Sequence, residues 1–165
     1  MQPLTKTTGT TEGAYREVVL VQHETSRRAH RELFSFDDSC YILSGKDICE
    51  SILALSSRGV DKMHVAADWE NLLMIALWTP ARPLSFDVMS LLRKSGAGEA
   101  ELAPFRTSDI NDLFPWLYYG KKFDILRKIC NAAKTKAESR ISGRHLQVIC
   151  HLVSEETLRI VASSL

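Results

Sequence analysis

The sequence predicts a single mixed α/β domain of three layers with a mainly parallel sheet. Short apolar runs at residues 18–21, 40–43 and 63–67 have the length and composition of buried strands. Two segments with apolar residues at helical spacing, 25–34 and 44–57, separate these runs. Strands that alternate with helices are typical of a parallel sheet covered by helices. An α+β fold, in which residues 63–78 form a hairpin, is the alternative.

Local signals set the ends of the two early helices. Thr25 or Ser26 is placed to cap the first, and Ser44 the second, because a hydroxyl at this position accepts a backbone hydrogen bond from the first turn. Gly59 follows the second helix, where glycine readily adopts the left-handed conformation that ends a helix. We therefore expect helices that start at these caps.

The apolar run at residues 72–78 fits two structures. It is either a buried helix capped by Asp68 or a fourth buried strand, since a run that is apolar on every side has no periodicity to decide between them. The remaining predicted elements are a helix over 85–94, an exposed loop over 95–104, an aromatic segment broken at Pro115, a helix over 121–140, a strand over 145–153 and a helix from Ser154.

Composition limits the class of protein. The 165 residues carry a net charge of +1, and 45% of them are hydrophobic, as in an ordinary globular domain. Residues 1–13 are threonine-rich and predict a flexible tail, which leaves residues 14–165 as one domain. The longest apolar run has seven residues, whereas a membrane-spanning helix needs about 20. We therefore expect no insertion into a membrane.

Cysteine usage and the N-terminus bear on the compartment. The four cysteines lie among apolar residues and show no CxxC spacing, which predicts buried free thiols. The first thirteen residues contain no apolar signal-peptide core. Both features favour the cytoplasm, with non-classical secretion as the alternative.

A basic segment and an aromatic segment suggest binding to another macromolecule. Residues 121–144 contain eight Lys or Arg and two acids, and residues 114–119 read Phe-Pro-Trp-Leu-Tyr-Tyr. Positive surfaces attract anionic partners, and aromatic side chains are enriched at interfaces. We interpret the chain first as a regulatory or adaptor protein that binds another protein, with nucleic acid as a further possible partner. The candidate binding residues are Lys121, Lys122, Arg127, Lys128, Lys134, Arg140, Trp116 and Tyr118.

Carboxylates that follow strands support a second hypothesis, a small enzyme. Asp68 follows the third predicted strand and Glu24 follows the first. Parallel strands bring their carboxyl ends to one edge, where ligands of open α/β sheets bind. Two carboxylates there can divide acid and base roles or hold a divalent cation. Asp37 and Asp38 can join them if the fold brings the second strand alongside.

The sequence contains no recognisable catalytic or cofactor motif. GxSxG, the P-loop, GxGxxG and HExxH are all missing. His64 and His151 fall inside predicted strands and are interpreted as satisfied core or edge residues. A zinc site that includes both Cys150 and His151 is disfavoured, because adjacent strand residues point to opposite faces. The sequence therefore predicts neither a cofactor nor a metal ion.

Overall fold

A computed structural model describes residues 16–142 and 145–164. Its described strands form one sheet in the order β2-β1-β3-β4-β5. They are β1 (Glu17–Val21), β2 (Tyr41–Leu43), β3 (Lys62–Ala67), β4 (Gln147–Ser154) and β5 (Arg159–Ser163). The first four strands run parallel and β5 pairs with β4 in the antiparallel sense. The predicted mainly parallel sheet is therefore confirmed, and the α+β alternative is wrong.

Helices cover both faces of this sheet unequally. In the described residues they are α1 (Glu24–Leu33), α2 (Ile48–Ser56), α3 (Trp69–Leu77), α4 (Ser85–Lys94), α5 (Glu99–Leu102), α6 (Leu113–Tyr119) and α7 (Phe123–Arg140). Helix α1 packs against β3 and β5 on one face, which we call the α1 face. Helices α2, α3 and α7 belong to the core on the opposite face. The three-layer arrangement is confirmed.

Two apolar clusters reflect this asymmetry. Alternate residues of β1 enter different clusters: Val18 and Leu20 join the larger one, and Val19 and Val21 the smaller one. This is the two-residue period of a strand that is buried on both faces. The smaller cluster contains few residues, because α1 is the one helix in the described part of the chain that covers that face. The buried residues His30, His64 and His151 lie on this face as well.

Residues 72–77 belong to helix α3, and Trp78 follows as its C-cap residue. The Asp68 carboxylate accepts a hydrogen bond from the Asn71 backbone N–H (3.0 Å) and caps α3, as the helix alternative predicted. Trp78 ends the helix in the left-handed conformation, with φ 53°. The strand alternative is therefore wrong, and Pro80 lies beyond the helix end.

The predicted helix from Ser154 is wrong. Ser154 is the last residue of β4, and a turn over residues 155–158 leads into β5. The Ser154 carbonyl accepts from the Leu158 N–H (2.8 Å), and Leu158 has φ 59°. Pairing of β5 with β4 stabilises this hairpin. The local pattern of a serine followed by two acids suggested a helix start, because it contains no information about that pairing.

Two predicted caps also differ from the structure. Helix α2 is capped by Asp47, whose carboxylate accepts from two backbone N–H groups, and not by Ser44. Helix α1 begins two or three residues earlier than Thr25 or Ser26 would place it, with His23 at its N-cap position. Each shift is three residues or fewer, because several capping residues lie close together at these points.

The segment between α4 and α7 is more ordered than predicted. The expected loop at 95–104 contains α5, and Leu102 in it is buried. Pro115 does not break the aromatic segment, because it lies in the first turn of α6, where its missing N–H costs no helical hydrogen bond. The predicted tail at residues 1–13 lies outside the described residues.

Candidate functional site

The strand order creates a switch point between β1 and β3. From β1 the chain crosses through α1 to β2 on one side, and later continues from β3 on the other side. The two connections lie on opposite faces of the sheet, so a crevice opens between them at the carboxyl ends of β1 and β3. In open α/β sheets this is the usual position of a ligand site.

Three chemically active side chains meet at this edge. His23 follows β1, Asp68 follows β3 and Glu155 follows β4, and their potential ligand atoms all lie within 4.8 Å of one another. We call these residues the strand-end group. The Gln22 side-chain oxygen accepts from the Asp68 backbone N–H (2.8 Å), which ties the end of β1 to the end of β3.

The two carboxyl groups of the strand-end group share a hydrogen bond. Partial burial raises the pKa of Glu155, and the nearby charge of Asp68 and a hydrogen bond to it raise that pKa further, while His23 lowers it. Two carboxylates this close repel unless a proton or a cation lies between them. Asn71 holds Asp68 in place through its backbone and side-chain N–H groups.

A cleft of about 420 Å³ opens beside these carboxyl groups. Trp69 and Phe114 form part of its wall, with ring centroids 5.9 Å apart. The Trp69 indole N–H donates to the Ile110 carbonyl (2.9 Å), which fixes the ring against the rest of the wall. The cleft therefore combines a rigid aromatic side with a polar floor, as small-molecule sites do.

Of the acids predicted at this edge, only Asp68 belongs to the strand-end group. Glu24 turns away and forms an ion pair with Arg27 (3.3 Å). Asp38 pairs with Arg27 (2.7 Å) and Arg31 (2.5 Å). Glu155 takes the second position, and sequence reasoning missed it because it assigned this residue to a helix.

Part of the predicted basic surface is neutralised within the protein. Lys122 forms an ion pair with Glu101 (2.7 Å). Lys134 is half-buried, pairs with Glu138 (2.7 Å) and donates to the Val148 carbonyl (2.8 Å). These two lysines join α7 to neighbouring elements, so they contribute little to an external positive field.

The other predicted basic residues are exposed, Lys121 just before α7 and the rest on this helix. Arg127 pairs with Asp124 one turn earlier. Lys121, Lys128 and Arg140 have no carboxylate within ion-pair distance among residues 16–142 and 145–164. A smaller positive surface than the one predicted therefore remains on this helix.

The predicted aromatic residues pack mainly against their neighbours. Trp116 is half-buried, with its ring 4.9 Å from that of Phe105 and 5.6 Å from the Lys122 ammonium. Tyr118 stacks on Phe114, with centroids 5.7 Å apart. Their nearest contacts are thus internal.

A second cluster, absent from the sequence predictions, lies on the α1 face. His30 from α1, His64 from β3 and His151 from β4 are all buried, and their ring nitrogens lie within 4.8 Å of one another. We call them the histidine cluster. Burial lowers the pKa of His30 and of His151 to about 3 and also lowers that of His64, which favours the neutral form of the three rings.

The described cysteines are unsuited to nucleophilic catalysis. All four are free, and three of them are buried as the sequence predicted, whereas Cys40 is only half-buried. Burial raises the pKa of Cys49 and of Cys130 to about 12, and that of Cys150 well above its usual range. A thiol is a poor nucleophile unless it loses its proton, so these groups are packing residues.

The chain matches no family model, no curated protein and no solved structure. In the described part of the chain, no helix combines the length and apolar character needed to cross a membrane.

Proposed function

We propose that this protein is a hydrolytic enzyme whose reaction centre is the strand-end group. The observation that supports this proposal is the hydrogen-bonded pair of carboxyl groups, Asp68 and Glu155, beside a cleft at the switch point of the sheet. When such a pair holds a single proton, one carboxyl is ionised and the other protonated, so the pair contains a base and an acid at the same time.

The short separation of the pair selects a reaction class. Glycosidases place their two carboxyl groups about 5–9.5 Å apart, on two sides of the substrate. Carboxyl groups in direct hydrogen-bond contact resemble instead a dyad that acts on a single water molecule. We therefore propose esters or amides with small acyl groups as substrates.

The proposed step conserves protons. The Asp68 carboxylate takes a proton from water while the water oxygen bonds to the carbonyl carbon, and Glu155 donates its proton to the carbonyl oxygen. Collapse of the tetrahedral intermediate breaks the bond to the leaving group, which takes up the proton from Asp68, while the hydroxyl proton returns to Glu155. The starting protonation state is thereby restored. His23, whose Nδ1 is fixed by the Thr25 hydroxyl (2.5 Å), lies beside the pair and favours its negative charge.

The test uses the whole protein and a panel of fluorogenic esters, amides and glycosides. We expect hydrolysis of an ester or amide, and a fall in kcat of about 10²–10⁴-fold in Asp68→Asn and in Glu155→Gln. Glu32→Gln, an exposed change on α1, should retain full activity. Hydrolysis that survives in both carboxyl variants would contradict the proposal.

A direct measurement of the pair needs no substrate. In wild-type protein, ¹³C NMR of the side-chain carboxyl of Glu155 should give a pKa above the ordinary value for glutamate. The shift should become smaller in Asp68→Asn, which removes the neighbouring charge and leaves the partial burial of Glu155 in place. An ordinary pKa in the wild type, or a shift that appears only when divalent cations are added, would rule out the shared proton.

Binding of a macromolecule through α7 is the second proposal. It is supported by Lys121, Lys128 and Arg140, which have no ion-pair partner in the described residues, and by Tyr119, whose surface is 62% exposed. An anionic protein fits this surface better than nucleic acid, because half of the named basic side chains are already paired. The free thiols agree with a reducing compartment, and we propose the cytoplasm.

Charge reversal tests this second proposal. Lys121→Glu combined with Lys128→Glu should abolish recovery of a partner from the native source. Glu32→Lys, a charge reversal on the opposite face, should leave that recovery intact. Recovery that does not change in the double variant would remove α7 as the binding surface.

A further inference from the structure

Each ring of the histidine cluster brings one nitrogen within 4.8 Å of a nitrogen of the other two rings. His30 Nε2 lies 3.1 Å from His64 Nδ1, and His64 Nδ1 lies 2.9 Å from His151 Nε2. The rings come from three different elements, α1, β3 and β4, and have at most 2% of their surface exposed. Three buried imidazoles thus converge where only apolar packing would be expected.

The other nitrogen of each ring is held from outside the cluster. His30 Nδ1 contacts the Tyr41 hydroxyl (2.7 Å). His64 Nε2 contacts a Glu17 carboxylate oxygen (2.9 Å), and His151 Nδ1 contacts the Ser163 hydroxyl (2.6 Å), so the outer partners are Tyr41, Glu17 and Ser163. Histidines that bind metals usually have such outer partners, which fix the tautomer and aim the free nitrogen.

Counting protons shows that the inner contacts cannot all be satisfied. A neutral imidazole has one N–H and one lone pair. The Glu17 carboxylate can only accept, so His64 carries its proton on Nε2 and presents a single lone pair on Nδ1. That lone pair faces two ring nitrogens, and at most one of them can make a full hydrogen bond to it.

We propose that the histidine cluster binds one divalent transition-metal ion, with Zn²⁺ as the preferred ion. An ion bound between the rings would accept all three lone pairs, and the outer N–H of each ring would still donate a hydrogen bond to its partner. Nitrogens around a tetrahedral Zn²⁺ with bonds of about 2.0–2.1 Å lie about 3.3 Å apart. The two inner separations of 3.1 and 2.9 Å need to widen by only a few tenths of an ångström.

The chemistry of the surroundings narrows the choice of ion. The cluster contains neither a carboxylate nor a thiolate, and imidazole nitrogen suits Zn²⁺, Cu²⁺ or Ni²⁺ better than Mg²⁺ or Ca²⁺. The negative charge of Glu17, in contact with the His64 ring, offsets part of the ion's charge, although Lys62 lies 3.5 Å from that carboxylate. The rings of Phe34 and Phe36 pack against the cluster and shield it from solvent.

The position of the cluster suggests what the ion does. Helix α1 is the one described helix of the α1 face, and its buried contacts there include few apolar side chains. A metal ion held by His30, His64 and His151 would join this helix to two central strands. Because an ion that binds the folded state alone stabilises it, saturation should raise Tm. This role is independent of the proposed hydrolysis.

The test measures binding of Co²⁺ and Zn²⁺ to the full-length protein after treatment with EDTA. We expect one Co²⁺ per chain with the visible absorption of a site of low coordination number, displacement of Co²⁺ by Zn²⁺, and a rise in Tm of about 5–10 °C at 100 times Kd. His30→Gln and His151→Gln should lose binding. His145→Gln, an exposed histidine outside the cluster, should keep it.

Two further measurements keep the outcome decisive. If the cluster variants fail to fold, ¹⁵N NMR of the wild-type imidazoles should show that Zn²⁺ shifts His30 Nε2, His64 Nδ1 and His151 Nε2, with the outer nitrogens still protonated. His23→Gln should retain the site, which separates it from the strand-end group. Failure of wild-type protein to bind either ion, or binding that survives in His30→Gln and His151→Gln, would show three packing histidines and overturn the proposal.

Discussion

The histidine cluster and the strand-end group are built from the same two strands but lie in opposite surroundings. β3 and β4 supply His64 and His151 to the buried cluster, and their ends lead directly to Asp68 and Glu155 at the open edge. The buried cluster contains only imidazoles, which can be neutral at physiological pH. The open edge contains the carboxyl groups, which need water, a proton or a cation to balance their charge.

The difference in solvent exposure limits the role that each of the two sites can have. A closed set of neutral rings with fixed outer partners can hold an ion but offers no room for a substrate. The strand-end group has a cleft beside it and a proton that can move, which catalysis requires. Burial therefore distinguishes a stabilising site from a reactive one more clearly than residue type does.

The largest expected effect contrasts a buried with an exposed histidine. His64→Ala should lower the free energy of unfolding by about 2–4 kcal/mol, because it leaves a cavity and removes a partner from three buried or half-buried groups. His23→Ala should change it by less than about 0.5 kcal/mol, since His23 is exposed. Urea denaturation in EDTA measures both without any contribution from bound metal.

Equal midpoints for the two variants would break the comparison. That result would mean that the contacts of His64 with His30, His151 and Glu17 contribute no more than a surface side chain does. A reduced m-value in His64→Ala, by contrast, would indicate that the α1 face had already loosened in the folded state.

A smaller effect concerns the outer partner of His64. Glu17→Ala should raise the Kd for Co²⁺ about 10–100-fold, because the carboxylate fixes the tautomer that aims Nδ1 at the ion. Glu32→Ala, which removes an exposed carboxylate from α1, is the matched control and should leave the Kd unchanged. Spectroscopic titration measures both values. Identical Kd values for the two variants would show that Glu17 does not orient the ring.

The first part of the fold was predictable because its signals are local. The apolar runs that became β1, β2 and β3, together with the helices between them, are visible within short windows of sequence. Their parallel pairing followed from the alternation, and with it the position of Asp68 at the carboxyl edge. The prediction of Asp68 therefore needed only the identity of the residue that follows a strand.

Glu155 and the histidine cluster were not predictable in the same way, because they depend on pairing between distant segments. A serine followed by two acids is as compatible with a helix start as with a hairpin turn, and β5 decides between them. His64 and His151 share a face because the register aligns Ala66 with His151, a fact that neither strand contains alone. One signal was available: histidines inside apolar strands and on the apolar side of a helix each need a buried partner.

The smallest effect tests the strand-end group through the pH dependence of stability. Because the folded pKa of Glu155 is raised, folding favours its protonated form, and this contribution is lost as pH rises through the folded pKa. Glu155→Gln removes the repulsion, so the variant should be more stable than wild type at pH 8. The gain should not exceed about 1 kcal/mol, since solvent screens this exposed pair, or about 2–4 °C in Tm.

At pH 4 the wild-type carboxyl is protonated, and the advantage of Glu155→Gln should disappear. Glu156→Gln makes the same chemical change one residue further along, where the side chain accepts from the Tyr119 hydroxyl instead of meeting Asp68. Its effect on stability should not follow this pH dependence. If Glu155→Gln and Glu156→Gln gave parallel curves of Tm against pH, the Asp68–Glu155 pair would not share a proton, and the open edge would lose the property that sets it apart from the closed histidine cluster.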